Sequence, residues 1–409
     1  MQGDNITEVF RSENIVARAV KCDDVSRWVI TFDNYGIGHG FDRDGFSQGF
    51  LREQGLSSVH IMGRREDWYQ YPDMMDAVAA VRKYLAEAER IITYGSSMGG
   101  YAALRFADAL GADAALALSP QYSINPAKVP FETRWMQDAR RIVWRPEHEP
   151  ALPLKARAVV VYDPMTIDRR HTHLISEEIA IEPIPVRYSG HPSGWMVADT
   201  HLLSPLLLDA LNGVDDLSRY PQAIRAARAQ SSTYLINLAR ALPSRRSHIA
   251  LALAERAVAI KPIHVDALHC LADNLVVAGR SEEALIYYKR AVDAAHGGIN
   301  GWVPYADGLS RLGRHHEAMP IVKDVTSRPE AAQLAHLHAW HGLIARQAGL
   351  KQEALQAMKR ALALHPSEPT YQKLAAAYEA ELSHARWWQR WLSCFRASLS
   401  SNWAGSKSA

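Results

Sequence analysis

The chain has 409 residues, 46 of them basic and 44 acidic, a formal net charge of +2, and a composition that is 48% hydrophobic and 22% charged. That length asks for two or three domains, the composition is that of a globular protein, and the balanced charge supplies no field for nucleic acid. Three cysteines, Cys22, Cys270 and Cys394, lie far apart without metal-ligand spacing, which argues against a disulfide framework and for a reducing, cytoplasmic compartment.

Met1-Gln2-Gly3-Asp4-Asn5 has neither a basic nor an apolar region of the kind a secretory signal carries, and no apolar run is long enough to cross a bilayer. The first half alternates β-rich and helical patterns. Strands are predicted at 14–20, 27–34 and 57–62. A helix follows at 72–86, opened by Pro72 and marked by Met75, Val78, Ala79, Val81 and Leu85 at helical spacing. Further strands are predicted at 90–94, 113–118, 156–162 and 182–188, with helices at 101–110, 169–179 and 200–211. Such alternation implies a mostly parallel sheet with helices on both faces. Between 121 and 154 the pattern breaks into a proline- and aromatic-rich segment, read as a short cap over the strand ends.

The stretch Gly95-Ser96-Ser97-Met98-Gly99 joins the predicted strand 90–94 to the helix 101–110, which Gly111 closes. Strand, sharp turn, helix is the setting in which G-x-S-x-G lifts a serine above a sheet. Gly95 and Gly99 omit Cβ atoms that such a turn would drive into its neighbours, and the helix start offers free N–H groups, that of Met98 first, to a developing oxyanion.

With an acid after a later strand and a histidine after the last one, residues 1–215 resemble an α/β-hydrolase domain, whose chain order is Ser, Asp, His. The resemblance implies an acyl-transfer site with Ser97 as nucleophile and no metal or cofactor. His191, reached from the last predicted strand through Ser189-Gly190, is the expected base, with His201 as competitor. Two acids follow the 156–162 strand: Asp163, at the strand end, is ranked ahead of Asp168, whose place before a helix also suits an N-cap. The second oxyanion donor is expected in the glycine-rich loop 33–40, at Asn34, and Tyr35, Trp68, Tyr69 and Tyr122 are candidate substrate-lining residues.

From about residue 216 the chain becomes alanine-rich and repeats at about 34 residues: Leu268, Ala272, Gly279, Ala284 and Tyr288, then Trp302, Ala306, Gly313 and Ala318, then Gly342, Ala345, Gly349, Ala354 and Pro366. The pattern resembles the tetratricopeptide repeat (TPR), with small residues where helices touch and glycine at the turn. Residues 216–380 are therefore expected to stack as helical repeats whose groove takes a peptide or protein partner. In 381–409, Trp387, Trp388, Trp391 and Phe395 fall on one helical stripe beside Arg386, Arg390 and Arg396. This reads as a capping helix, or alternatively as peripheral contact with an inner membrane, followed by a disordered tail. The overall expectation is a serine esterase acting on a small-molecule or saccharide ester, with acyl transfer to a sugar hydroxyl and an inert scaffold as alternatives.

Overall fold

The structure is a computed structural model that describes residues 6–148, 151–152, 154–366 and 368–383. The tryptophan-rich stretch expected to cap the repeats, 385–396, lies outside the described residues, as does the tail. Among the described residues no helix is long and apolar enough to cross a membrane. The chain divides into two compact units, Met1–Ala241 and Leu242–Ala409.

The first unit is built on an eight-stranded sheet: β1 (Ile6–Arg11), β2 (Ile15–Val20), β3 (Asp24–Phe32), β4 (Leu56–Gly63), β5 (Arg90–Ser96), β6 (Ala114–Leu118), β7 (Arg157–Tyr162) and β8 (Ile181–Pro185). Their order across the sheet is β1-β2-β4-β3-β5-β6-β7-β8, with β1–β2 and β2–β4 antiparallel and every other pair parallel. Between them run α1 (Gln48–Glu53), α2 (Met74–Tyr84), α3 (Met98–Leu110), α4 (Met136–Arg141) and α5 (Asp168–Glu178), and after β8 come α6 (Gly194–Asp199), α7 (Leu203–Leu211), α8 (Arg219–Ala227) and α9 (Ser232–Ala241).

The two-residue period of the strands sorts side chains between two cores. Trp28, Ile30 and Phe32 of β3 pack with Met74, Val78 and Val81 of α2 and with Phe106 of α3. Val29, on the opposite face, packs with Ile92, Leu116, Val159 and the helix residues Leu206, Leu207 and Leu211. Both faces are therefore dry, as a parallel sheet requires.

Three features depart from the sequence-based expectation. The edge strand β1 and helix α1 are too short and too polar to announce themselves. The helix predicted at 200–211 begins only at Leu203, and an unpredicted α6 ends before it at Asp199; His201, between the two, takes a left-handed φ of 59°. The boundary expected at 215 lies at 241, because Leu217, Tyr220 and Ile224 belong to the sheet's second core. In the same region the Asp199 carboxylate accepts hydrogen bonds from Ser231 Oγ (2.8 Å), Thr233 N (3.1 Å) and Thr233 Oγ1 (2.9 Å).

The second unit is a run of antiparallel neighbours: α10 (Ser247–Ile260), α11 (Val265–Val277), α12 (Ser281–Ala294), α13 (Ile299–Arg311), α14 (His315–Ser327), α15 (Ala335–Gln347) and α16 (Lys351–Leu364), with helical residues again at 369–383. α11, α13 and α15 end in the same way. Gly279, Gly313 and Gly349 take φ of 76°, 75° and 77°, and the next residue's N–H returns to a carbonyl of the last turn, as in Arg280 N to Leu275 O at 2.9 Å. This left-handed closure sends the chain straight back, and Ala272, Ala284, Ala306, Ala318, Ala345 and Ala354 are fully buried where helices meet. The repeats are TPR-like in this pairing.

Candidate active site

Ser97 sits between β5 and α3 with φ 54° and ψ −116°, a conformation that costs a non-glycine residue about 1–3 kcal/mol. Three glycines make the turn feasible. A Cβ on Gly95 would stand 2.2 Å from Gly99 O, one on Gly99 2.4 Å from Phe32 O, and one on Gly100 3.1 Å from Leu118 O. The backbone is held from the far side by Ser97 N donating to Leu118 O (2.8 Å). As at any helix start, the first N–H groups of α3, beginning at Met98, have no acceptor within the helix.

His191, in the loop between β8 and α6, places Nε2 2.9 Å from Ser97 Oγ, while its Nδ1 lies 2.7 Å from Asp168 Oδ2. With Asp168 ionised, Nδ1 carries the proton and donates it to the carboxylate, which leaves the Nε2 lone pair to accept from the serine hydroxyl. A serine so arranged can lose its proton to the ring as it attacks a carbonyl.

The two acids have separate partners, and the ranking that favoured Asp163 is reversed for contact with His191. Asp163 accepts N–H groups from Met165 (2.8 Å) and Gly190 (2.8 Å), so it ties down the loop that carries His191 without touching the ring. Asp168 opens α5 but does not cap it; its carboxylate turns inward to the histidine. Their electrostatics diverge accordingly. Burial pushes both upward, but hydrogen bonding and charge from His191, then Arg134, carry Asp168 below the usual carboxylate range. Asp163, with backbone donors alone and the charge of Asp168 nearby, stays above it.

The segment between β6 and β7 contributes residues that the sequence did not single out. Gln121 Nε2 donates to Ser97 Oγ (3.0 Å), and its Oε1 accepts from Trp68 Nε1 (3.3 Å). Trp135 stands edge-on to the His191 ring with centroids 5.4 Å apart. Arg134 Nη2 lies 2.9 Å from Asp168 Oδ1, an ion pair whose angle falls short of a hydrogen bond.

Ser97 and His191 open into a cavity of about 610 Å³, lined also by Asn34, Tyr35, Phe46, Tyr94, Leu118, Trp135, Trp195 and Leu203. Among the described residues no carboxylate, lysine or arginine lines it. Burial holds the hydroxyls of Tyr35 and Tyr94 up at about 12, so both are neutral. Of the four aromatic residues expected at the substrate, Tyr35 alone lines the cavity. Trp68 is buried behind Tyr35 and Trp135, at ring distances of 5.7 and 5.5 Å. Tyr69 is turned into the core, where its hydroxyl donates to Ile61 O and accepts from Asp33 N. Tyr122 donates to Glu178 on α5, since the chain has already left the cavity at that point. Asn34 lines the cavity with its side-chain amide turned to Tyr35 O (2.7 Å). His201 is exposed and does not line the cavity. Among the described residues no group of three or more His, Cys, Asp or Glu could hold a metal ion.

No family model matches the chain, and no curated protein matches it. Solved structures resemble parts of it, among them the following three. MamA from Desulfovibrio magneticus RS-1 is 16% identical, covers 41% of this chain and 96% of its own, and has a TM-score of 0.30. TTC0263, a thermophilic TPR protein of Thermus thermophilus, is 18% identical over 46% of this chain and 98% of its own, with a TM-score of 0.35. The capsule O-acetyltransferase of Neisseria meningitidis serogroup A is 11% identical over 46% of this chain and 87% of its own, also at 0.35.

Proposed function

We propose that the first unit is an α/β-hydrolase-type serine enzyme that cleaves an ester or related acyl bond. The observation that carries the proposal is the unbroken chain Ser97 Oγ, His191, Asp168, at 2.9 and 2.7 Å, on a strained turn at the mouth of a cavity. In this mechanism Ser97 Oγ attacks the acyl carbonyl while His191 Nε2 takes its proton. The oxyanion is met by Met98 N–H at the positive end of α3, with the loop at Asn34 as the candidate second donor. His191 then returns the proton to the leaving alcohol, giving an acyl-enzyme that water resolves by the same relay. Asp168 keeps the ring in the Nδ1–H tautomer throughout.

The cavity favours a neutral, apolar acyl group. Its described lining is largely aromatic and aliphatic, and a buried charge there would find no charged partner among those residues. One feature favours a second reading, acyl transfer to a saccharide. Trp195, 65% exposed at the cavity rim, offers a flat face of the kind on which sugar rings stack. The second unit is proposed to contact a protein or peptide partner through its repeats.

Labelling by a fluorophosphonate tests the central proposal. Wild type is expected to label, and Ser97→Ala and His191→Ala to abolish labelling without loss of fold. A folded wild type that stays unlabelled would turn the proposal toward a scaffold working through the repeats. Product analysis with and without a saccharide acceptor separates hydrolysis from transfer.

A further inference from the structure

Asp168 has two oxygens, and His191 uses one. The other faces Arg134, whose guanidinium is itself fixed: Nη2 lies 2.7 Å and Nε 3.1 Å from Glu132 Oε2, and Nε is also 3.1 Å from Glu132 Oε1. The Glu132 side chain is fully buried and takes a further donor, His171 Nε2, at 2.8 Å. Since His171 Nδ1 accepts from Tyr122 N (3.2 Å), the proton of the neutral ring lies on Nε2, where it is donated to Glu132. Burial raises Glu132, but His171 and Arg134 outweigh it and hold the acid down at about 2. Glu132 is therefore a permanent anion whose work is to anchor Arg134. The guanidinium carbon also lies 4.3 Å from the Trp135 ring centroid, and that ring stands edge-on to His191.

We propose that Arg134 is a positioning residue of this site: anchored by Glu132, it fixes the free oxygen of Asp168 and offsets part of the negative charge that His191 faces. The proposal rests on the serine-enzyme reading above. The charged and titratable groups around His191 are Asp168 and His171 from α5, Asp163 from the loop after β7, Glu132 and Arg134 from the β6–β7 connection, and the neutral hydroxyls of Tyr35 and Tyr94. With Arg134 in place, three carboxylates are met by one guanidinium. Without it their combined field acts on His191 unopposed.

The test is the second-order rate of fluorophosphonate labelling followed from about pH 5 to pH 9. Arg134→Gln is expected to move the acid limb up by about one pH unit and to slow labelling on the plateau. Glu132→Gln leaves the cation less compensated and is expected to move the limb down. Arg134→Lys keeps the charge and is expected to restore the position of the limb better than the plateau rate, since lysine lacks the fork. The double variant Glu132→Gln/Arg134→Gln removes one charge of each sign and is expected to lie near wild type, which guards against a fold lost through a buried unpaired Glu132. Coincident limbs, or shifts of the same sign in the two single variants, would overturn the proposal. If wild type does not label, the hydrolase reading fails on its own. An NMR titration of His191 in the same proteins then reads the same opposed shifts, or refutes them.

Discussion

The two acids beside His191 give the sharpest prediction. Asp168→Asn preserves size while removing the charge that fixes the Nδ1–H tautomer, and its amide N–H groups face a ring nitrogen that also needs to donate. The ring is then expected to turn its proton toward Ser97, where it cannot act as a base. Loss of that function costs about 10⁴ in rate, or about 5 kcal/mol of barrier. Asp163→Asn breaks something different. One of the two carboxylate oxygens that accept the Met165 and Gly190 N–H groups becomes an amide donor, so one of these hydrogen bonds is lost while the contact of Asp168 with the ring is untouched. The expected cost is about 1–3 kcal/mol of stability, with labelling reduced by no more than about tenfold. The assay is the labelling rate of each variant beside its thermal unfolding, so that rate and fold are read separately. An Asp163→Asn rate below that of Asp168→Asn, or an Asp168→Asn rate within about tenfold of wild type, would refute the assignment of Asp168 to the histidine.

Four further outcomes are expected. His60 is buried between Thr31 Oγ1 (2.6 Å) and Ser58 Oγ (2.8 Å), and burial depresses it from 6.5 to about 4. The unfolded chain therefore takes up the proton first, and stability falls as pH drops from 6.5 toward 4, by about 3 kcal/mol in all. Denaturant unfolding of wild type and His60→Gln across that window should show a clearly shallower slope in the variant. Gly95→Ala would put a methyl 2.2 Å from a backbone carbonyl that cannot retreat, and soluble protein is expected to be lost. Gly49→Ala, in α1 with open space around it, is expected to gain about 0.5–1 kcal/mol in the same unfolding assay. In the second unit a Cβ on Gly308 would meet the Tyr288 ring at 2.5 Å, and that ring is held by its hydroxyl on Asp273. Gly308→Ala is expected to destabilise the repeats by about 1–3 kcal/mol while labelling of Ser97 stays unchanged.

What the sequence reveals of this site is what local chemistry alone decides. Gly95, Ser97 and Gly99 are legible because the turn they form excludes larger residues at two nearby positions, and the period-two and period-3.6 patterns on either side fix strand and helix. Gly279, Gly313 and Gly349 are legible for the same reason, since each closes a helix with a positive φ. His191 follows from its place after the last strand. The choice between Asp163 and Asp168 is not local. Both lie within six residues, Asp163 in the loop after β7 and Asp168 at the start of α5, and which carboxylate turns to the ring depends on donors that arrive from elsewhere: Gly190 N for one, Arg134 for the other.

The β6–β7 connection shows why the remainder was hidden. Gln121, Glu132, Arg134 and Trp135 have no period and no motif, and each acquires meaning from partners 24 to 56 residues away along the chain. Such a segment is ordered by what it covers: Ile124, Val129, Trp135, Ala139 and Ile142 are buried, and four of them share a core with Tyr69 and Tyr101. A proline-rich stretch with five apolar anchors cannot float above a cavity as a mobile cover, because releasing it would expose those side chains at about 1.5–3 kcal/mol for each large one. The proposed enzyme is thus expected to keep the wall that bears Arg134 and Trp135 closed against Asp168 and His191. Substrate would enter on the side of the exposed Trp195 rather than by lifting this segment. Hydrogen exchange can decide the point: amides at 135–142 should be protected to nearly the same degree as those of α3, and markedly faster exchange there would mean that the segment opens.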